Sequence, residues 1–124
     1  MAGRVNSYQD LRVWQDAVAL AEACYLLTKD FPREEIFGMT SQIRRASTSI
    51  SANIAEGYGR ENTRSFIQFL RIAQGSLKEL ETHLIIVQRV KIAKTIAVQP
   101  LLDNCGSLGR MLRTLIRSLQ EKSS

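Results

Sequence analysis

The stretch from Ser41 to Arg60, SQIRRASTSISANIAEGYGR, restricts the possible folds of this chain more than any other part of it. From just before this stretch, apolar and small residues recur at alternating steps of three and four, the spacing of a helix in a left-handed bundle. They form two interleaved rows, Ile36, Ile43, Ile50 and Gly57 in one and Met39, Ala46 and Asn53 in the other. Most other side chains here are small, so neighbouring backbones can come close. The stretch predicts a central helix of an all-α assembly.

A polar cluster is predicted on this helix, because Asn53 falls on its apolar row. A buried amide without hydrogen-bond partners costs about 1–3 kcal/mol. Glu56 lies one turn further along, and Arg45 shares a helix face with Glu56 by the three-and-four rule. Arg45, Asn53 and Glu56 can form an internal network that fixes helix register, or a site for a ligand or RNA. We favour the internal network, because buried polar groups are usually satisfied structurally.

The central helix is predicted to end at a glycine. Gly57 and Gly59 flank Tyr58, and either glycine can take the left-handed conformation that terminates a helix. The three residues that follow at 61–63, Glu-Asn-Thr, supply cap chemistry for the next helix. A short connection between two long helices is therefore expected here.

Apolar rows elsewhere in the chain predict three further helices. The four helices are expected over residues 8–31, 34–58, 63–91 and 97–121 of a single domain. Short connections between four helices of this length predict an antiparallel up-down-up-down four-helix bundle. The third helix carries Gly75 in its middle, which predicts close packing against the second helix. Pro100 falls in the first turns of the fourth helix, so regular helix is expected only from near Gln99.

The first helix differs from the others in carrying two apolar rows. One row consists of Leu11, Trp14, Val18, Ala21, Tyr25 and Thr28. The other consists of Val13, Ala17, Leu20, Cys24, Leu27 and Phe31. A helix with two apolar rows is buried on two sides. One side can face its own bundle and the other a neighbouring subunit, because an exposed apolar row would promote aggregation.

Three segments of the chain carry a recognisable pattern: FGMTSQIRRASTSISANIAEGYGR, FIQFLRIAQGSLKELETHL and GRMLRTLIRSL. They resemble a bacterial family called the four helix bundle proteins, or 23S ribosomal RNA intervening-sequence proteins. The opening DLRVWQDAVALAEACYLLTKDFPREE fits the same pattern, so the resemblance covers roughly Tyr8 to Leu119. It implies a four-helix subunit, a homopentamer and no established enzymatic activity. Ser51 departs from the proline expected there, which puts only a local kink in question.

Positive charge is concentrated in the last third of the chain. Residues 1–83 carry ten basic and ten acidic residues, whereas residues 84–124 carry seven basic and two acidic ones. Arg110, Arg113 and Arg117 fall on one side of the fourth helix. They form either a solvated face, which can pair with acidic residues of another helix, or a stripe that meets RNA or DNA phosphates. Arg44 and Arg45 are a second candidate for such contacts.

The sequence carries no motif for catalysis or for cofactor binding. It has no Gly-rich phosphate loop and no Glu-x-x-His pair for a di-iron site, so no enzyme activity, cofactor or metal is expected. The only histidine, His83, is expected on a helix surface, and Cys24 and Cys105 are expected as buried thiols. No apolar run is long enough to span a membrane, and no apolar signal core opens the chain. A cytoplasmic location is expected.

Two functional hypotheses follow. The first is a homo-oligomeric, non-enzymatic nucleic-acid-binding protein, an RNA-associated accessory factor. The second is a protein-interaction scaffold, a ring that recruits a protein partner such as a reverse transcriptase without touching nucleic acid. Accessory proteins of diversity-generating retroelements, which are related four-helix proteins, suggest that partner.

Overall fold

The computed structural model describes residues 5–123, which fold into four helices and contain no strand. The helices are α1 (Arg12–Thr28), α2 (Met39–Gly59), α3 (Thr63–Arg89) and α4 (Thr95–Ser123). Each helix packs against two others: α1 and α3 both contact α2 and α4, and neither diagonal pair brings Cα atoms within 8 Å. Because connections of ten, three and five residues join consecutive helices, neighbours run antiparallel. The predicted four-helix bundle is confirmed at the level of the subunit.

The core is built from one buried row of each helix. On α1 the buried row is the one that contains Ala17 and Leu20. The row predicted on α3 is buried from Leu70 to Val87, and the row on α4 from Leu101 to Leu112. On α2 the buried row includes Ile43 and Ile50 as predicted, but Ile36 lies outside the helix and is 55% exposed. Four apolar rows thus meet along a common axis.

Helix α1 begins later and ends earlier than the predicted 8–31. Tyr8–Asp10 is a separate 3-10 turn, capped by Ser7 and Asp10, and Leu11 after it is extended. At the other end, buried Thr28 donates its hydroxyl hydrogen bond to the Cys24 carbonyl, 2.8 Å away, in the last turn of the helix. Both ends of the helix therefore differ by about one turn from the predicted bounds.

Helix α2 begins at Met39 rather than near residue 34, because a side chain caps it there. The Glu35 carboxylate accepts a hydrogen bond from the Met39 amide at 3.1 Å. Gly38, the N-cap, is non-helical, and a Cβ added to it would come 2.9 Å from Glu35 Oε1. Arg33–Glu35 forms its own 3-10 turn. The acidic residues predicted to open the helix therefore precede it, and one of them caps it.

Both glycines predicted to terminate α2 lie inside it. Gly57 is buried, and a Cβ added to it would come 2.5 Å from Phe69 Cβ, so its role is to let α3 approach α2. Gly59 is the last helical residue and faces open space. The left-handed residue of this connection is Glu61, with φ 54°. The prediction that Gly57 and Gly59 end the helix through a left-handed turn was wrong.

The remaining boundaries follow the predictions more closely. Helix α3 starts at the predicted Thr63, and the Asn62 side chain accepts a hydrogen bond from the Ser65 amide at 2.9 Å. Gly75 has no atom within 4 Å of an added Cβ, so the predicted close helix contact at this residue was wrong. Helix α4 starts at Thr95 and continues through Pro100, so the expectation that regular helix begins only near Gln99 was wrong. The carbonyl that loses its partner there belongs to exposed Ile96, where water can reach it.

Candidate nucleic-acid interface

The predicted arginine stripe is an exposed face of α4. Arg110, Arg113 and Arg117 are all exposed, as a solvated helix face requires. A Cβ added to Gly106 would lie 3.7 Å from Arg110 Nη1, and one added to Gly109 would lie 3.9 Å from Arg113 Nη1. Two of the three arginines thus fold back over a glycine four residues earlier. We call these three residues the arginine face.

The arginine face takes part in none of the ion pairs between described residues. Among residues 5–123 the ion pairs are Arg12–Asp16, Arg60–Glu56, Lys78–Glu81 and His83–Glu79. None of them involves the arginine face. The predicted alternative, pairing with acidic residues of another helix, does not occur among the described residues. Because all three arginines are exposed, a ligand in solution can reach their guanidinium donors.

A groove runs beside the arginine face, between the start of α1 and the second half of α4. Its volume is about 540 Å³, and its apolar lining includes Leu11, Met111 and Leu115. Arg12 and Arg110 both line it, so α1 contributes a fourth arginine to this region. Arg12 also lies 3.9 Å from the Asp16 carboxylate, measured from its Nε. The spacing of residues along α4 could not identify Arg12 as part of this region, because Arg12 belongs to α1.

The second candidate pair, Arg44 and Arg45, is split by the packing of α2. The Arg44 Nε donates a hydrogen bond to Thr28 Oγ1 at 2.8 Å, and its guanidinium lies 4.6 Å from the centre of the Tyr25 ring. Arg44 therefore joins α2 to α1. Arg45 is exposed. Because α2 and α4 occupy diagonal positions, neither arginine joins the arginine face.

Asn53 has different partners from those predicted. Its amide donates to the Ser49 carbonyl at 2.8 Å and to Ser49 Oγ at 3.0 Å. Ser49 Oγ shares a 2.9 Å hydrogen bond with Ser76 Oγ of α3. Glu56 instead accepts a 2.9 Å hydrogen bond from Arg60, and it makes none with Asn53. The polar network therefore joins α2 to α3 through Asn53, Ser49 and Ser76, and neither Arg45 nor Glu56 belongs to it.

Both thiols are buried in the core, as predicted. Burial raises the pKa of Cys24 to about 12, and a hydrogen bond with Ser47 opposes this only in part. Burial also raises the pKa of Cys105 to about 12, with smaller contributions from Glu81 and Cys24, and Lys78 opposes them. Because the thiolate is the reactive form, neither cysteine has the environment of a nucleophile.

His83, which was predicted on a helix surface, is only partly exposed. Its buried Nδ1 has no hydrogen-bond partner among the described residues, and its Nε2 lies 3.5 Å from a Glu79 carboxylate oxygen. Within residues 5–123, no three His, Cys, Asp or Glu side chains come together as metal ligands would. None of the described helices combines the length and the apolar character needed to cross a membrane.

A family model for the 23S rRNA-intervening sequence proteins matches residues 9–114. The chain belongs to this family. A member of the S23 ribosomal protein family from Bacteroides thetaiotaomicron, a protein of unknown function, has a similar structure with a TM-score of 0.75. The two chains are 24% identical over 84% of this chain and 97% of the other, which shows a shared fold. No curated protein matches the sequence.

Proposed function

We propose that this member of the family is a non-enzymatic, homo-oligomeric accessory protein that binds nucleic acid, in the first place RNA, in the cytoplasm. The observation that carries the proposal is the arginine face: three exposed guanidinium groups on one side of α4 that form no ion pair among residues 5–123. The planar guanidinium group matches the geometry of a phosphate and can donate two parallel hydrogen bonds to it. Contacts of this kind position a protein on a backbone and carry little base-sequence information.

The proposed oligomer is a homopentamer. Its support is the second apolar row of α1, which the subunit buries only in part, together with the family resemblance: Ala21 and Thr28 are buried, but the rest of the row is not. Val18 is half-buried and Tyr25 is exposed on this row, and both line a groove of about 530 Å³ between α1 and α2. Five copies of the arginine face would strengthen binding through avidity. Light scattering on a sizing column tests the assembly, and a monomer mass at micromolar concentration would contradict it.

Fluorescence anisotropy with a labelled single-stranded RNA tests the nucleic-acid contact. The variant replaces Arg110, Arg113 and Arg117 by glutamine, and the titration is repeated at several salt concentrations. Each neutralised phosphate contributes about −0.7 to the slope of log affinity against log salt for single strands. Removal of three contacts should therefore weaken binding to every sequence tested and flatten this slope by about 2 per subunit engaged.

A matched control removes the same charge from another helix. Arg64, Arg71 and Arg89 of α3 are exposed, and replacing all three by glutamine lowers the net charge by the same amount. This control should keep most of the affinity. Equal loss in both variants would mean that only net charge matters, and no loss in either would move the site elsewhere, with exposed Arg45 as the next candidate.

The second candidate function is a scaffold ring that recruits a protein partner, such as a reverse transcriptase, without touching nucleic acid. Exposed apolar side chains favour it, because Leu26 is 69% exposed next to the groove between α1 and α2. Failure of the wild-type protein to bind RNA at low salt would leave this function as the better explanation. Co-purification from the native cells separates the two: recovery of RNA supports the first proposal, and recovery of one defined protein supports the second.

A further inference from the structure

The exposed apolar side chains are concentrated at one end of the bundle. This end, where α1 and α3 finish and α2 and α4 begin, is called the apolar end below. Of the ten large apolar side chains that are exposed among the described residues, eight lie there. They are Tyr25, Leu26, Ile36, Phe37, Ile85, Ile86, Val90 and Ile96. An apolar concentration of this kind marks an interaction surface more often than a solvated one.

Phe37 projects from the apolar end as a single aromatic knob. It is 95% exposed, the highest value among the large exposed apolar residues. The backbone on both sides of it is held: the Ile36 amide donates to the Arg33 carbonyl at 3.1 Å, and the Gly38 amide donates to the Glu35 carbonyl at 2.9 Å. The ring is therefore presented from an ordered turn, and little backbone entropy is lost if it is buried.

A groove that could receive an aromatic ring lies at the same end. It has a volume of about 550 Å³ and runs between the end of α1, the α3–α4 connection and the start of α4. Leu27, Phe31 and Ile92 supply apolar surface, and Asp30 and Lys94 also line the groove. The groove thus offers apolar side chains together with one charge of each sign.

The charges beside the knob complement the charges of the groove. Arg33 and Glu34 precede Phe37, and both are exposed. Neither these two residues nor Asp30 and Lys94 of the groove belong to an ion pair of the described chain. Glu34 of one copy can therefore face Lys94 of another, and Arg33 can face Asp30. With four basic and three acidic residues, the connections 29–38 and 90–94 are nearly balanced in charge, which disfavours an anionic lipid surface as the occupant.

We propose that the apolar end is a two-fold interface between two copies of this chain, in which Phe37 of each copy fills the groove of the other. Knob and groove lie at the same end of one molecule, so a single two-fold rotation forms both contacts at once. The contact closes on itself and leaves no apolar end free. The contact is made by Phe37 and by the groove that Leu27, Phe31 and Ile92 line. None of these residues lines the groove between α1 and α2 that is proposed for ring contacts, so a ring of five would be paired into ten.

The mass in solution tests this interface without assuming a ring. Light scattering on a sizing column at micromolar concentration compares the wild type with Phe37→Ser. The variant should have half the mass of the wild type, whatever the wild-type mass is. Ile72→Ser is the matched control, because Ile72 is 45% exposed and lies outside the apolar end, and its mass should equal that of the wild type. A Phe37→Ser protein of unchanged mass would overturn the proposal, as would a wild-type mass that grows without limit with concentration.

A charge exchange tests the pairing itself. Glu34→Lys and Lys94→Glu should each weaken the two-fold association, because each places like charges together twice per interface. The association constant is expected to fall roughly fivefold for each variant. The double variant should recover most of the wild-type association constant in sedimentation equilibrium. A double variant as weak as the weaker single variant would contradict the predicted partners, and thermal unfolding of all three would show that the subunits remain folded.

Discussion

The contact between α2 and α3 differs from the arginine face of α4 in what its side chains contact. The first is packed and hydrogen-bonded within the subunit, and the second is exposed to solvent. At the α2–α3 contact, Gly57 has no room for a larger residue, because an added Cβ would lie 2.5 Å from Phe69 Cβ. Ser49 is held there by a 2.9 Å hydrogen bond to Ser76. On the arginine face, the three arginines are exposed and belong to none of the ion pairs of the described residues. The first region should therefore determine stability, and the second should determine binding.

The largest expected effect is at Gly57. Gly57→Val should destabilise the subunit by about 3 kcal/mol, because the new Cβ would lie 2.5 Å from Phe69 Cβ and the two helices would have to separate. Gly75→Ala is the matched control, since nothing lies within 4 Å of an added Cβ there. That change should stabilise the protein by about 0.5–1 kcal/mol. Urea unfolding measures both, and equal effects would contradict the close α2–α3 contact.

A smaller effect is expected at Arg44, where a basic residue is used structurally. Arg44→Ala should cost about 1.5–2 kcal/mol, since it removes a charge-assisted hydrogen bond to Thr28 and the contact with the Tyr25 ring. Arg45→Ala removes the same side chain from an exposed position and should change stability by less than about 0.5 kcal/mol. Thermal unfolding of the two variants tests the difference. If Arg45→Ala were the more harmful change, the orientation assigned to α2 would be wrong.

Substitution of Asn53 should affect stability less than that of Arg44 and more than that of the arginine face, and it should leave RNA affinity unchanged. Asn53→Ala removes two hydrogen bonds to Ser49 and should lower the free energy of unfolding by about 1 kcal/mol. In a double-mutant cycle with Ser76→Ala, the two changes should not be additive, because Ser49 joins them. RNA affinity per folded subunit should match the wild type. A stable Asn53→Ala protein that has lost RNA binding would place this residue in the binding site instead.

The smallest effect on stability is expected on the arginine face. Replacing Arg110, Arg113 and Arg117 by glutamine should keep the free energy of unfolding within about 1 kcal/mol of the wild-type value, because exposed surface substitutions have small effects. Relief of repulsion between like charges should oppose any loss. Thermal unfolding of the same protein used for the RNA titrations checks this. A large loss of stability would show that the arginines stabilise the subunit, and the contrast with the α2–α3 contact would disappear.

The fold could be predicted from the sequence because helix periodicity is a local property. The rows that contain Ile50, Leu77 and Leu108 repeat every three or four residues, and the structure buries them. The family resemblance pointed to the same architecture. The exposure of the arginine face was predictable for the same reason, since polar residues at this spacing lie opposite an apolar row.

Contacts between helices could not be predicted in the same way. The hydrogen-bond partner of Ser49 is Ser76 on another helix, and only the relative shift of α2 and α3 brings them together. From the sequence, Gly57 could equally mark the end of a helix or a close contact between helices, because both favour a residue without a side chain. Arg44 and Arg45 are chemically identical neighbours, and the rotation of α2 against α1 decides which of them is engaged.

The two buried thiols can serve as built-in probes of transient opening of the helix bundle. Cys24 and Cys105 face the core from α1 and α4, and with pKa values of about 12 they are almost entirely protonated at neutral pH. A thiol reagent can therefore modify them only when the helices separate. The rate of that modification would follow the transient opening of the bundle in the native state, with no label added to its surface.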